Sequence, residues 1–344
     1  MARAGWRLQQ AVRRFKNRFA PGALILMYHR VIDLPNDPHL LAVSPEHFAG
    51  QMEVIRKHTS PVHLQGLVEG LQNGVVPSRA VVITFDDGYA DNLYQAKPLL
   101  ERYEIPATVF VTAGQVGSQR EFWWDELDRI LLQPGTLPEK LQLKFEGSAY
   151  EWLLAGTAAY TEQDYARDRS WHIERKDDSG PRHRLFRGLY ERLRSLPVPV
   201  RENILNDLVV WAGIRTAGRP THRMLTSDEL ILLEKGGLVE AGAHTLTHPS
   251  LANLPFEEQR NEIQQGRECL EAILNHPVKS FAYPNGSISP EAITILNELD
   301  FLCACSSEPD AVRLGADRFQ LPRVVVRDWD RETFSNWLRW WVGG

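Results

Sequence analysis

The chain has 344 residues, of which 43% are hydrophobic and 24% charged, which is ordinary globular composition with room for one large domain or two average ones. Its formal net charge of -5, with no zinc-finger spacing and no basic array interleaved with aromatics, excludes a globally basic nucleic-acid-binding protein. The cysteines are Cys269, Cys303 and Cys305, and their spacing predicts neither a disulfide framework nor a cysteine metal site. The absence of a predicted disulfide framework favours a reducing compartment.

The N-terminal segment, residues 1–20, is basic and has an amphipathic pattern. No apolar run reaches the roughly 20 residues that cross a bilayer, and the start lacks the apolar region of a signal peptide, so we expect a cytoplasmic protein. The segment carries six basic residues and no acidic one, with apolar residues at helical spacing. It either lies peripherally on the inner face of an anionic membrane or packs its apolar stripe on the parent domain.

Short β-type runs alternate with helical patterns along much of the chain, which predicts parallel strands joined by helical crossovers. Strands are predicted at 23–28, 80–85, 107–112, 238–243, 278–282 and 301–305, and helices at 92–103, 256–274 and 290–299. Thr226 to Glu229 has the form of a capping box, so a helix is expected to begin there.

The region 123–219 interrupts this alternation. Helical patterns at 124–132, 185–196 and 201–211 predict a mainly helical insertion, and the charged stretch 164–187 predicts a mobile loop or lid. The predicted organisation is therefore a basic segment at 1–20, a core in two parts at 21–122 and 220–344, and the insertion at 123–219.

Two aspartates follow the apolar run 81–85, which is expected to be a buried strand. Asp86 and Asp87 would then stand at the carboxyl end of the strand, where loops converge on the sites of α/β folds. Successive strand residues point to opposite faces, so both carboxylates serve one site only if the chain turns at once, which Gly88 permits. The alternative is a turn in which the aspartates bond nearby backbone N–H groups.

A pair of histidines, His244 and His248, follows the predicted strand 238–243. At a spacing of four, the imidazoles would lie on one face of a helical turn and could bind one metal ion. Neutral imidazole is a good zinc ligand, and Asp87 would complete a set of two histidines and one carboxylate. Asp86 would remain beside the metal as a general base for water.

The segments Thr84-Phe85-Asp86-Asp87-Gly88 and His244-Thr245-Leu246-Thr247-His248 closely resemble the first two motifs of the polysaccharide deacetylase family, also called the NodB-homology family or carbohydrate esterase family 4. The resemblance covers roughly 22–122 and 220–329. It implies a distorted (β/α) barrel, here with a helical insertion, and hydrolysis of N- or O-acetyl groups of sugars with a divalent metal, commonly Zn²⁺. By motif position it implies Asp86 as the base, and Asp87, His244 and His248 as the metal ligands.

The segment 281–286 resembles the third motif of the family, which implies that the backbone N–H of Tyr283 donates to the oxyanion. Without the resemblance it is a strong turn sequence. The motif lacks its usual arginine. Arg323, in Leu321-Pro322-Arg323, resembles a late element of some members and is predicted to keep Asp86 ionised, with an ordinary surface salt bridge as the alternative.

The family's general-acid histidine is absent from its usual place, because no histidine follows His276. His29 ends an apolar run near the N-terminus and resembles the Tyr-His element of the circularly permuted branch, which acts on poly-N-acetylglucosamine. The resemblance implies His29 as the acid that protonates the leaving amine, with a structural histidine as the alternative. Trp123 and Trp124 either stack on a sugar or pack in the core.

We therefore predict a metal-dependent hydrolase that removes N-acetyl groups from an N-acetylated glycan or a lipid-linked sugar precursor. Two alternatives are a metal-free glycosidase that pairs Asp86 with another carboxylate, and a catalytically silent glycan-binding or scaffold protein of the same fold.

Overall fold

The computed structural model describes residues 22–145, 147–154, 156–215 and 217–342, so the basic segment predicted at 1–20 lies outside the described residues. The strands are β1 (Leu24–Tyr28), β2 (Arg30–Val31), β3 (Ala42–Val43), β4 (Ser60–Pro61), β5 (Ala80–Phe85), β6 (Ala107–Val111), β7 (Gly135–Thr136), β8 (Lys140–Phe145), β9 (Ser148–Leu153), β10 (Ala159–Tyr160), β11 (Val239–Ala243), β12 (Ser280–Ala282), β13 (Cys303–Cys305) and β14 (Val324–Val325).

The helices are α1 (Pro45–His58), α2 (Leu64–Gln72), α3 (Lys97–Tyr103), α4 (Trp123–Leu131), α5 (Glu162–Asp168), α6 (Pro181–Leu193), α7 (Val198–Ala212), α8 (Ser227–Glu234), α9 (Phe256–Leu274), α10 (Pro290–Glu298) and α11 (Arg331–Val342). A π-helical turn, Asn92–Ala96, leads into α3. Helix α8 begins at the predicted capping box, in which Thr226 and Glu229 bond each other's backbone N–H. None of these helices combines the length and apolar character that crossing a membrane requires.

The described residues form two compact units. The first unit comprises 22–33, 42–116 and 225–342, and the second comprises Leu34–Leu41 and Gly117–Met224. The second unit starts earlier and ends later than the insertion predicted at 123–219, and it includes a short segment from the N-terminal part of the chain. That segment is attached by long-range bonds, such as Asn36 Nδ2 to Asp128 Oδ1 at 2.9 Å, which no local sequence pattern reveals.

The first unit is built on a parallel sheet with the strand order β13-β12-β11-β6-β5-β1-β14, and β4 pairs with β5. Strands β1 and β5 are buried along their whole length, as expected for parallel strands covered on both faces. The sheet curls into a half-barrel surrounded by helices, which confirms the predicted distorted (β/α) barrel.

The two ends of this sheet meet in the segment that contains Arg323. On one side, a parallel bridge joins Leu321 to Cys305 at the end of β13. On the other, β14 pairs with β1, with Val324 opposite Leu26. Arg323 therefore lies where the two edges of the sheet come together, and its position in the barrel is fixed from both sides.

The second unit contains helices α4 to α7 and two antiparallel strand pairs, β7 with β10 and β8 with β9. The prediction of a mainly helical insertion missed the β8–β9 hairpin. The stretch 164–187, predicted as a mobile loop, includes the end of α5 and the start of α6. Its charges are paired locally, as in Arg187 with Asp178 at 2.8 Å, and the side chain of Trp171 is buried.

Candidate active site

The aspartate pair stands at the carboxyl end of β5, at a sharp change of backbone direction. Asp87 has a φ of 77° and Gly88 a φ of 89°, so two successive residues adopt the left-handed conformation. A Cβ on Gly88 would lie 3.0 Å from Val111 Cγ1, which is why glycine suits this position. The prediction that the chain turns at Gly88 was incomplete, since the turn already begins at Asp87.

The histidine pair follows β11, but the chain between the two histidines is a loop, and the predicted helical turn is wrong. Thr245 and His248 have φ values of 63° and 61°, outside the helical region. The hydroxyl of Thr245 accepts a bond from the backbone N–H of His248 at 3.0 Å and so closes the loop. The two imidazoles converge because of this loop, with their ring centres 4.9 Å apart.

Asp87, His244 and His248 form a compact group of buried ligand atoms, all within 4.8 Å of one another. Asp87 Oδ1 lies 3.7 Å from His244 Nε2 and 3.4 Å from His248 Nε2. The structure thus brings together the three residues predicted as metal ligands.

The chemistry of these donors suits a divalent metal. His244 Nδ1 lies 2.8 Å from the carbonyl oxygen of Ala282, which can only accept, so Nδ1 carries the hydrogen and Nε2 has a lone pair for a metal. Burial lowers the pKa of His244 to about 4, against the nearby charge of Asp86, so the imidazole is neutral at pH 7. Burial also raises the pKa of Asp87, and a bound cation would offset the burial of this carboxylate.

Asp86 is held by Arg323 through a two-point ion pair. Arg323 Nη1 lies 2.6 Å from Asp86 Oδ1, and Nη2 lies 2.7 Å from Oδ2. Burial by itself raises the pKa of Asp86, but the charge and the hydrogen bonds of Arg323 oppose it, and the pKa lies below its usual range. Arg323 is fully buried, so the alternative of a surface salt bridge is wrong.

His29 follows β1 as Asp86 follows the neighbouring β5, because the strand register pairs Tyr28 with Phe85. Burial lowers the pKa of His29, while the charges of Asp87 and Asp86 raise it. The histidine thus belongs to the same electrostatic environment as the two aspartates. This placement is compatible with the predicted role as an acid.

Tyr283 follows β12, but its backbone N–H donates to the carbonyl oxygen of Cys305 at 3.2 Å. The pairing between β12 and β13 therefore continues through this residue. The prediction that this N–H donates to an oxyanion needs correction, since the sheet uses the donor in this structure. The Tyr283 hydroxyl donates to the carbonyl oxygen of Phe319 at 2.9 Å.

Several residues that the sequence motifs do not single out support this site. The backbone segment at His29 is held by Asn92, whose Nδ2 donates to the His29 carbonyl oxygen at 2.9 Å. Asp91 binds the guanidinium of Arg30 at 2.9 Å and the backbone N–H of Val31 at 3.0 Å. In the sequence, the only sign of these residues was that Asp91 and Asn92 follow the aspartate motif closely. That sign is weak, because polar residues at the start of a helix are common as capping residues.

The other aromatic candidates have structural environments. Trp123 and Trp124 are buried within α4 of the second unit, which favours the core interpretation over sugar stacking. Trp337 and Trp340, on α11, are partly buried against the core of the first unit. Cys303 and Cys305 are fully buried, and burial raises the pKa of both thiols.

The polysaccharide deacetylase family model matches residues 73–136 and 212–304, which include both aspartates and both histidines of the site. A poly-β-1,6-N-acetyl-D-glucosamine N-deacetylase of Staphylococcus aureus is 31% identical over 111 residues, or 28% of this chain and 38% of that protein. The chain thus spans well under half the length of this curated relative. The resemblance to the polysaccharide deacetylase family is confirmed.

Solved structures share the fold. The Streptococcus pyogenes deacetylase PplD, in complex with acetate, aligns with a TM-score of 0.57 and 16% identity over 92% of this chain and 98% of that chain. IcaB from Ammonifex degensii aligns with a TM-score of 0.57 and 19% identity over 94% of this chain and 97% of that chain. At these identities the alignments establish the architecture.

Proposed function

We propose that the chain is a metal-dependent hydrolase that removes acetyl groups from an N-acetylated glycan. One observation carries the proposal: a buried set of Asp87, His244 and His248 stands beside Asp86, which Arg323 holds ionised. A metal-ligand set next to an oriented carboxylate that is not itself a ligand is the arrangement that metal-assisted hydrolysis of an amide requires.

Asp87, His244 and His248 would hold the metal, which we expect to be Zn²⁺ because two imidazoles and one carboxylate are typical catalytic zinc ligands. When bound, the ion supplies Lewis-acid polarisation of the acetyl carbonyl and lowers the pKa of water toward about 7. The bond from His244 Nδ1 to Ala282 keeps the ring in the tautomer and the orientation that this role needs.

The protein's own groups handle the protons. Water attacks the acetyl carbonyl carbon while Asp86 takes one of its protons, and Arg323 keeps Asp86 in the ionised form that can do so. The bond between carbon and nitrogen then breaks, and His29 gives a proton to the departing nitrogen. The products are acetate and a free amine on the sugar.

The substrate class is inferred from the relative in Staphylococcus aureus, whose name gives poly-β-1,6-N-acetyl-D-glucosamine as its substrate. We propose an N-acetylated glycan for this chain as well. A lipid-linked sugar precursor belongs in the same test.

Acetate release from a panel of N-acetylated glycans, with Zn²⁺ supplied or chelated, tests the proposal. We expect release with metal and none with chelator. Asp86→Asn should abolish turnover and keep the bound metal, whereas Asp87→Ala should lose the metal, as measured by elemental analysis of the purified protein. Asp300→Asn, an exposed change elsewhere on the barrel, serves as the control.

Absence of release from every glycan with metal bound would overturn the proposal. Glycan binding under those conditions would identify the catalytically silent protein. New reducing ends without free acetate would identify the glycosidase. Loss of metal from Asp86→Asn would show that the roles of the two aspartates are exchanged.

A further inference from the structure

The loop that carries the two histidine ligands has an unfavourable backbone conformation. Thr245 and His248 both have positive φ values, 63° and 61°, although neither is glycine. Such residues are strained and persist only where surrounding contacts enforce them. Some group outside the ligand set must therefore hold this loop.

Glu262, on α9, makes three bonds to the middle of the loop. Its Oε2 accepts the backbone N–H of Leu246 at 3.0 Å and of Thr247 at 2.8 Å. Its Oε1 accepts the hydroxyl of Thr247 at 2.6 Å. One carboxylate thus binds the two residues that lie between the left-handed positions.

Helix α9 can place Glu262 there because Gly266, one turn further on, lets the helix approach the loop. A Cβ on Gly266 would lie 2.6 Å from the carbonyl carbon of Thr245 and 2.8 Å from the nitrogen of Leu246. Real Cβ atoms do not approach backbone atoms so closely, so a larger residue would push the helix and the loop apart.

The turn after β6 binds the same loop through its carbonyl groups. The backbone N–H of Ala113 donates to the carbonyl oxygen of Thr245 at 3.1 Å, and that of Gly114 donates to the carbonyl oxygen of Leu246 at 2.8 Å. The turn therefore binds carbonyl groups of the histidine loop, whereas Glu262 binds backbone N–H groups of the same loop. The two sets of contacts together define the loop conformation.

We propose that Glu262 is a positioning residue that sets the metal affinity of the site by holding the His244–His248 loop in its strained conformation. The proposal rests on the metal site of the proposed function. It extends the site to a carboxylate that binds neither metal nor substrate. Glu262 acts through the backbone of Leu246 and Thr247, so it affects both imidazoles at once.

Metal affinity measured on the full chain tests this role without recourse to activity. Zn²⁺ affinity is determined by competition with a chromophoric chelator, and coordination geometry is followed by the visible absorption of the Co²⁺ form. Glu262→Ala should weaken Zn²⁺ binding by about 10–100-fold, the range seen when groups that orient metal ligands are removed elsewhere. Its Co²⁺ spectrum should also change.

Graded variants separate positioning from a general loss of structure. Glu262→Gln keeps one acceptor oxygen for the backbone N–H groups and should fall between wild type and Glu262→Ala. Thr247→Val removes only the hydroxyl bond and should cause a smaller loss. Glu268→Ala, at an exposed position of the same helix, should bind Zn²⁺ like wild type. Circular dichroism confirms that each variant is folded.

Folded Glu262→Ala with wild-type Zn²⁺ affinity and an unchanged Co²⁺ spectrum would overturn the positioning role. If that variant does not fold, equal affinities of wild type, Glu262→Gln and Thr247→Val would overturn it instead. Failure of the wild-type protein to bind either metal would count against the proposed function itself, so the two failures are distinguishable.

Discussion

Arg323 and Asp86 are separated by 237 positions in the chain, yet they form a buried ion pair through two parallel bonds of 2.6 and 2.7 Å. The guanidinium also donates through Nε to the carbonyl oxygen of Ser306 at 2.8 Å and through Nη1 to Thr84 Oγ1 at 3.2 Å. These two bonds fix the guanidinium independently of its bonds to the carboxylate. The segment that joins the two edges of the sheet therefore places a fixed cation beside the proposed base.

Replacement of Arg323 should change the pH dependence of catalysis. A general base works only when deprotonated, and the Arg323 charge holds the pKa of Asp86 low, so activity persists as the pH falls toward that pKa. Without the guanidinium the pKa rises, and the acidic limb of kcat/KM moves to higher pH. For Arg323→Gln we expect kcat to fall about 100-fold and stability to drop by about 3–5 kcal/mol, because Asp86 is left buried and unpaired.

Arg323→Lys keeps the charge but not the two-point geometry, so it should show a smaller shift of the acidic limb. The pH profile of acetate release from pH 4 to 8 measures both variants. Arg331→Lys, which alters an exposed arginine, is the control. An acidic limb that stays in place for folded Arg323→Gln would show that the arginine does not tune the base.

The sequence was sufficient to place the aspartates, because their position depends on a simple regularity. A buried run such as β5 must end where the sheet ends, and polar residues there face the site. Arg323 was nominated by resemblance alone. Its burial could not be foreseen, since it depends on the bridge between Leu321 and Cys305 that closes the sheet.

The conformation of the histidine loop could not be read from its spacing. A separation of four suggests a helical turn, but Glu262 and the turn after β6 impose left-handed residues instead. The role predicted for Tyr283 was wrong for a related reason, because its backbone N–H donates to the neighbouring strand β13. In both cases contacts with an element distant in the chain decided the outcome. Local propensity carries no information about such partners.

Arg182 connects several segments of the second unit, because its guanidinium donates to their backbone carbonyl groups. The guanidinium is buried and donates to the carbonyl oxygens of Leu131, Gln133, Gly135, Thr157 and Ala158. These acceptors come from the end of α4, from β7 and from the approach to β10. No carboxylate is among these five acceptors, and burial lowers the pKa of the guanidinium. The Arg182 side chain thus supplies a hydrogen-bond donor to five backbone carbonyl groups from separate segments of the second unit.

Arg182→Ala should lower the free energy of unfolding by at least about 3 kcal/mol, because each buried carbonyl group that loses its donor costs roughly 1–3 kcal/mol. Arg182→Lys offers fewer N–H groups and should fall between wild type and alanine. Urea unfolding of the full chain, followed by circular dichroism, measures the losses. Arg184→Ala, at an exposed position of the same helix, should stay within about 0.5 kcal/mol of wild type. Equal losses for Arg182→Ala and Arg184→Ala would contradict this account.

His39 is a titratable group in the second unit, away from the proposed catalytic residues. Its ring lies against Tyr190, with 4.8 Å between ring centres, and against Phe186, with 5.4 Å. Burial lowers its pKa from 6.5 to about 3, although a backbone hydrogen bond with Trp124 acts in the opposite direction. His39 therefore stays neutral in the folded protein at a pH where it is protonated in the unfolded chain.

This difference predicts how the free energy of unfolding varies with pH. Between about pH 3 and 6.5 the unfolded chain binds a proton at His39 that the folded protein does not, so stability rises with pH across this window. The contribution is complete above pH 6.5 and is lost as the pH falls. His29, His183 and His244 also have lowered pKa values and act in the same direction. His39→Gln removes only one of these contributions.

Urea unfolding of the full chain at intervals from pH 4 to 7.5, with chelator present throughout, isolates that contribution as a difference between variants. For His39→Gln the slope of stability against pH should be smaller than for wild type by up to one bound proton. His58→Gln, which alters an exposed histidine on α1, is the control. Parallel curves for wild type and His39→Gln would mean that the His39 ring is as easily protonated in the folded protein as in the unfolded chain, and that its packing against Tyr190 and Phe186 does not exclude the charged form.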